Sequence, residues 1–214
     1  MGLIFSDGIT KDIDVIEKEK EYTSYILEHI TNVNKAFNEL IKGRIFDSIH
    51  MEFENGEVLD IGAEEMSEII MVLEMDVKNH DVSKFGVEEF SPYRVKFFPT
   101  DTEKKRIEID SEFANMVATS FQEAWEHHYL NNSHHANYWM YGDDNKLLDT
   151  PKDMKAKDVL HMICDWSAMS MKFQHTSSPV EWYEKDADKE KGYMNSHTRK
   201  LVEYFLNLLF DAKL

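Results

Sequence analysis

The chain has 214 residues, enough for one domain or for one domain with an insertion. At 42% hydrophobic residues, with 13 Phe and 12 Met, it can bury a core, and its formal net charge of −17 argues against a binder of duplex nucleic acid. No apolar run approaches the ~18 residues of a membrane span, and a single Cys164 allows no internal disulfide, so a cytoplasmic protein without a membrane partner is expected.

The opening "MGLIFSDG" lacks the basic-then-apolar layout of a signal peptide. Gly2 and Ser6 fit a myristoylation pattern, but that pattern is too short to carry weight. From Glu17 to about Leu40, Ile26, Ile30, Val33 and Phe37 recur at helical spacing. Residues 44–61 break that period: Ile45, Ile49, Met51 and Phe53 alternate, and Asn55-Gly56 is a hairpin turn, which predicts a small inserted β-hairpin. Glu64 to about Lys78 is helical again, with Met66, Ile69, Ile70, Leu73 and Val77 inward. Residues 92–110, with Pro99 and the charged "DTEKKRIEID", read as an irregular surface connection. A helix from Ser111 to about Leu130 places Phe113, Val117, Phe121 and Ala124 on one face. Ser133 fits the cap of a further turn, and residues 142–157 read as a polar loop. Helices over Val159–Phe173 and Thr198–Leu209 complete a single all-α domain, 1–214, without internal repeats.

Candidate chemistry starts at "NHDVSKF", residues 79–85. With 10 His in the chain, a His-Asp pair is expected about 0.8 times by chance, so its neighbours must carry the case. His29 borders the inward face of its helix, and Asp165 in "HMICDWSAMSMKF" lies near an apolar face, where a carboxylate needs a partner, a proton or a metal. His127, His128, His134 and His135 crowd into "EHHYLNNSHH", and His128 best continues the apolar face before it. Taken singly, an inward His is more often a hydrogen-bonded core residue, Asp165 a cap or ion-pair partner, and Lys84 a solvated charge. Taken together, imidazoles and carboxylates delivered by several helices suit a first-row divalent ion.

The order His29, His80-Asp81, His-rich cluster, Asp165 resembles the HD-domain superfamily of metal-dependent phosphohydrolases over about residues 20–175. "HDVSK" is similar to the "HDxGK" form of several branches, with Ser83 in place of Gly, and "EFSPYRVKFF", "EAWEHHYLNNSHHANYW" and "ICDWSAMSMKF" resemble an uncharacterised bacterial and phage branch. The gap from His29 to His80 is long for the family, and the hairpin accounts for it.

The resemblance implies an HD-like helical bundle with a hairpin insertion. It implies a metal set of His29, His80, Asp81, His128, His135 and Asp165, holding one or two ions of Mn, Fe, Zn, Co or Ni, or Mg. It further implies hydrolysis of a nucleotide or another small phosphoester by metal-activated water, with Asp81, Lys84 and His127 as catalytic residues. Lys84, Arg94 and His134 would contact substrate. A homo-oligomer is left open. Two other functions fit the same pattern: a non-catalytic module binding a nucleotide or a protein, and a di-iron oxygenase of the same fold.

Overall fold

A computed structural model of the chain describes residues 9–172 and 178–214, with side chains from residue 13 onward. The Gly2 and Ser6 pattern and Phe173 lie outside them. Helix α1 spans Ile9–Leu40 and extends the predicted helix at its N-terminal end. Tyr22, Ile26, Val33 and Phe37 recur at spacings of four and seven residues along it, one face of a helix, and are all buried. The described residues group into two units: residues 9–28 with Asp81–Asn132, and His29–His80 with the described residues from Ser133 to Leu214.

In the first unit, a 3-10 turn over Val82–Phe85 is followed by α3, Phe90–Phe97, α4, Asp101–Ile109, and α5, Ser111–Asn131. The segment 92–110 is therefore two helices and not an irregular connection. Pro92 falls in the first turn of α3, where its missing N–H breaks no helical bond. Thr100 caps α4 in a reciprocal box with Glu103, which satisfies two donors that a charged, weakly amphipathic helix would leave open. Val95, Phe113 and Val117 form the apolar core here, with Ile107 and Met116 packed on it.

In the second unit, strands β1, Ile49–Glu52, and β2, Val58–Ile61, form an antiparallel hairpin with Glu52 opposite Val58. Gly56 donates to the Phe53 carbonyl at 3.0 Å and takes φ +83°, a left-handed conformation that glycine adopts at no steric cost. Ile49 and Met51 point inward as expected, whereas Ile45 lies ahead of β1 and is 93% exposed.

Helix α2, Ala63–Lys78, packs on α6, Ala156–Lys172. Helix α6 is buried on nearly every side, and Val159, Leu160 and Ile163 are fully enclosed, each contributing about 1.5–3 kcal/mol of burial. Two short helices not evident from apolar period follow: α7, Pro179–Lys185, with a Ser178–Glu181 capping box and Pro179 in its first turn, and α8, Asp188–Gly192. Helix α9, Ser196–Phe210, packs against α6. Ser133 caps nothing; the following turn is a 3-10 helix over Ala136–Met140. Among the described residues the architecture is helical with one two-stranded sheet. No helix among them is long and apolar enough to cross a membrane.

Candidate functional site

Within the second unit, α1, α2 and α6 direct polar side chains to one buried place. His29 lies on α1 and is 7% exposed; His161 and Asp165 lie one turn apart on α6, so both project from the same face. His80 follows the end of α2. Asn79 caps that end with its N–H on Asp76 and Val77 carbonyls, and the His80 N–H reaches the Val77 carbonyl at 3.4 Å. Asp81 then adopts φ +54°, a left-handed conformation that Asp tolerates better than most residues, so the helix cannot continue. The helix ends here for a local backbone reason, and the first residue past its Asn79 cap is the buried imidazole.

His80 is 1% exposed and is held at both ring nitrogens. Its Nε2 lies 3.0 Å from His29 Nε2 and 3.7 Å from Asp165 Oδ1; its Nδ1 lies 3.0 Å from His161 Nε2. His29 Nε2 is 3.0 Å from Asp165 Oδ1. That oxygen is buried and lies outside hydrogen-bonding geometry with any described residue. The donor atoms of His29, His80 and Asp165 fall within 4.8 Å of one another, as do those of His80, His134 and His161. His134 is buried, its ring 4.6 Å from that of His80 and 4.5 Å from that of His161.

The donor set fits a metal ion. Ligands bonded at about 2.0–2.1 Å and held near right or tetrahedral angles lie roughly 2.9–3.4 Å apart, the spacing of His29 to both His80 and Asp165, with His80 to Asp165 wider at 3.7 Å. Two neutral imidazoles and one carboxylate suit Mn, Fe, Co, Ni or Zn better than Ca or Mg. Burial pushes the Asp165 carboxyl up, but the adjacent His29 ring, with His80 and His134 beyond, holds it well below the usual carboxylate range. It is thus an anion ready for a cation. The neighbouring Cys164 is enclosed, and burial pushes its thiol up, which makes it an inert core residue and not a ligand.

Within the first unit, ionisable groups alternate in a chain. Lys84 Nζ lies 2.6 Å from Asp81 Oδ2, and Asp81 Oδ1 lies 3.3 Å from His128 Nε2. His128 Nδ1 lies 2.8 Å from Glu89 Oε2, and Glu89 Oε1 lies 2.7 Å from His127 Nδ1. Burial pushes Glu89 up and His128 down, but the His128 and His127 rings outweigh it at Glu89, and Asp81 first, then Glu89, outweighs it at His128. Glu89 is held below its ordinary value and His128 above. His127 lines a cleft of about 330 Å³, with Val95, Val117 and Ala124 as apolar walls and Ser91, Ser120 and Glu123 as polar ones.

Of the residues expected from sequence, His29, His80 and Asp165 converge in the second unit, while Asp81, Lys84, His127 and His128 line up in the first. Asp81 and His128, expected in the metal set, are in neither donor group of the second unit, and two expected substrate contacts have other partners. Arg94, expected at a phosphate, is buried on α3 with both terminal nitrogens committed to Glu103, at 2.5 and 2.8 Å. His134, expected at the substrate, is enclosed among the imidazoles. Ser133 sets its position: the hydroxyl donates to Asp158 at 2.7 Å, and the Ser133 carbonyl accepts from Trp139 Nε1 at 2.8 Å. His135 is half-buried at the start of the 3-10 turn, its ring 4.3 Å from that of His134.

Residues 18–208 match DUF5662, a family of unknown function. The chain belongs to that family. Neither the curated proteins nor the solved structures provide a match. In this DUF5662 chain two residues central to the geometry escape the sequence pattern. His161 was detectable as a His-x-x-x-Asp pair with Asp165, which a helix places on one face. Glu89 carried no such signal, because its two His partners lie 38 and 39 residues away.

Proposed function

We propose that this DUF5662 chain is a metal-dependent phosphohydrolase of the HD-domain type, acting on a nucleotide or another small phosphoester. The observation that carries the reading is the buried convergence of His29, His80 and Asp165, three residues that stand in the order of the HD pattern and at ligand spacing. A divalent ion bound there would polarise a phosphoryl oxygen and bring the pKa of a water toward neutrality.

In the second unit the chain's own groups supply the ligands. His29 and His80 contribute neutral nitrogen, and Asp165 contributes the anionic charge that a dication needs. Lys84 is a compact cation suited to phosphate, and it is half-buried against the Tyr93 ring at 5.6 Å. In the first unit Glu89 holds His127 through Nδ1, the atom pairing expected of an oriented acid-base imidazole. Arg94 has no part in this reading, because Glu103 occupies its fork.

Protein purified without chelator should carry a stoichiometric first-row metal and release phosphate or a nucleoside from a panel of ribonucleotides, deoxynucleotides and cyclic nucleotides. Absence of both metal and metal-stimulated hydrolysis sinks the reading. Nucleotide binding without turnover would favour a non-catalytic module instead, and iron with oxygen uptake would favour an oxygenase of the same fold.

A further inference from the structure

His80 belongs to both donor sets of the second unit, and its chemistry forbids it from serving both. A neutral imidazole has one lone pair in the ring plane and one N–H. Its Nε2 faces His29 and Asp165, and its Nδ1 faces His161 Nε2 at 3.0 Å. Two ring nitrogens that close, both buried, need a proton or a cation between them, since two lone pairs would repel. Charge decides which nitrogen of His80 is left bare. The donor group on the Nε2 side, with His29, includes the carboxylate of Asp165, whereas the group that His80 forms with His134 and His161 is made of imidazoles. A dication favours the side with the anion.

We propose that His161 is the positioning residue of this centre. It accepts the Nδ1 proton of His80, so the Nε2 lone pair of His80 points toward His29 and Asp165, and His80 contributes to one ion and not two. This rests on the metal reading above. A metal-bound His commonly gives its other N–H to a fixed acceptor, and that acceptor sets both the tautomer and the ring angle. Here α6 addresses both ends of one ring from a single turn: Asp165 lies beside Nε2, and His161, four residues earlier, lies beside Nδ1.

The test uses the full chain, labelled with 15N-histidine and loaded with zinc, a diamagnetic probe. His80 should show a metal-shifted Nε2 and a protonated Nδ1, with scalar coupling from that nitrogen to His161 Nε2 across the hydrogen bond. His161→Ala should weaken zinc binding roughly 10–100-fold while leaving its stoichiometry unchanged. His161→Gln, whose side-chain carbonyl can accept the same proton, should recover most of the loss. The proposal is overturned if zinc shifts Nδ1 of His80 instead, if His161→Ala removes an equivalent of metal, or if it leaves affinity untouched. The spectrum of the unmutated chain decides the matter even where the alanine variant fails to fold. If the unmutated chain takes up neither zinc nor any of Mn, Fe, Co and Ni, the metal reading itself falls, and this inference with it.

Discussion

Asn34 on α1 ties itself to the last turn of α2: its Nδ2 donates to the Val77 carbonyl at 2.8 Å and to the Ile30 carbonyl of its own helix, also at 2.8 Å. The bond closes a helix end whose carbonyls lack intrahelical partners. It also fixes His80, three residues on, against His29, five residues back. Asn34→Leu keeps the size of the side chain and removes the donor. Stability should fall by about 1–2 kcal/mol, and metal affinity should fall further than that loss explains, because the 3.0 Å spacing of His29 and His80 relaxes. Titration with zinc beside a denaturant melt checks it; unchanged affinity would show that Asn34 only holds the helices together.

Asp165 is the one anion of the proposed centre, so its charge should matter more than its shape. Asp165→Asn preserves volume but offers a weak neutral ligand. Metal binding should drop by at least the roughly 10–100-fold typical of losing an outer partner. A ligand at about 100 times its Kd stabilises a fold by about 2.7 kcal/mol. Chelator should therefore lower the melting temperature of the unmutated protein by several degrees and leave that of Asp165→Asn unmoved. Equal chelator sensitivity in both would remove Asp165 from the ligand set.

Half-buried Ser133 and buried Asp158 form a latch ahead of the His134-His135 pair. Asp158 is 2% exposed and also receives Lys157 Nζ at 3.0 Å. Ser133→Ala strips one hydrogen bond from a buried carboxylate and should cost about 1.5–3 kcal/mol. Lys157 keeps the charge compensated, so the chain should still fold. Amide exchange over residues 133–140 should quicken more than exchange in α9, and uniform quickening would mean the latch has no local role.

The Arg94–Glu103 pair carries an acid dependence of definite sign. Burial pushes Glu103 up, but its bidentate contact with Arg94 and the Thr100 N–H hold it below its ordinary 4.5. A carboxyl depressed in the folded state adds stability above the unfolded value, and that stability is lost as pH falls through the lower folded value. Glu103→Gln should cost about 1.5–3 kcal/mol at pH 7, and the gap to the unmutated protein should close below about pH 4. A gap that stays constant from pH 7 to pH 3 would show that ionic pairing contributes nothing.

The sequence by itself determined the long amphipathic helices and the hairpin, because apolar period and the Asn55-Gly56 turn are local and strong. It also marked His29 and Asp165 as polar residues beside apolar faces, and His80 as half of a His-Asp pair at a helix end. Helices α3 and α4 were illegible because they are short, carry little apolar period, and hold together through a cap and a buried ion pair. The short helices α7 and α8 hid for the same want of period. Only the tertiary structure decided how each marked residue is used. Arg94 looks like a phosphate contact until Glu103 is found on its fork. His161 looks like core because α6 is buried nearly all round, so no polar face sets it apart. Its partner ring is 81 residues away, and only the packing of α2 on α6 puts their nitrogens 3.0 Å apart. Periodicity is a property of neighbours along the chain, whereas the environment of an imidazole nitrogen depends on what the fold places against it.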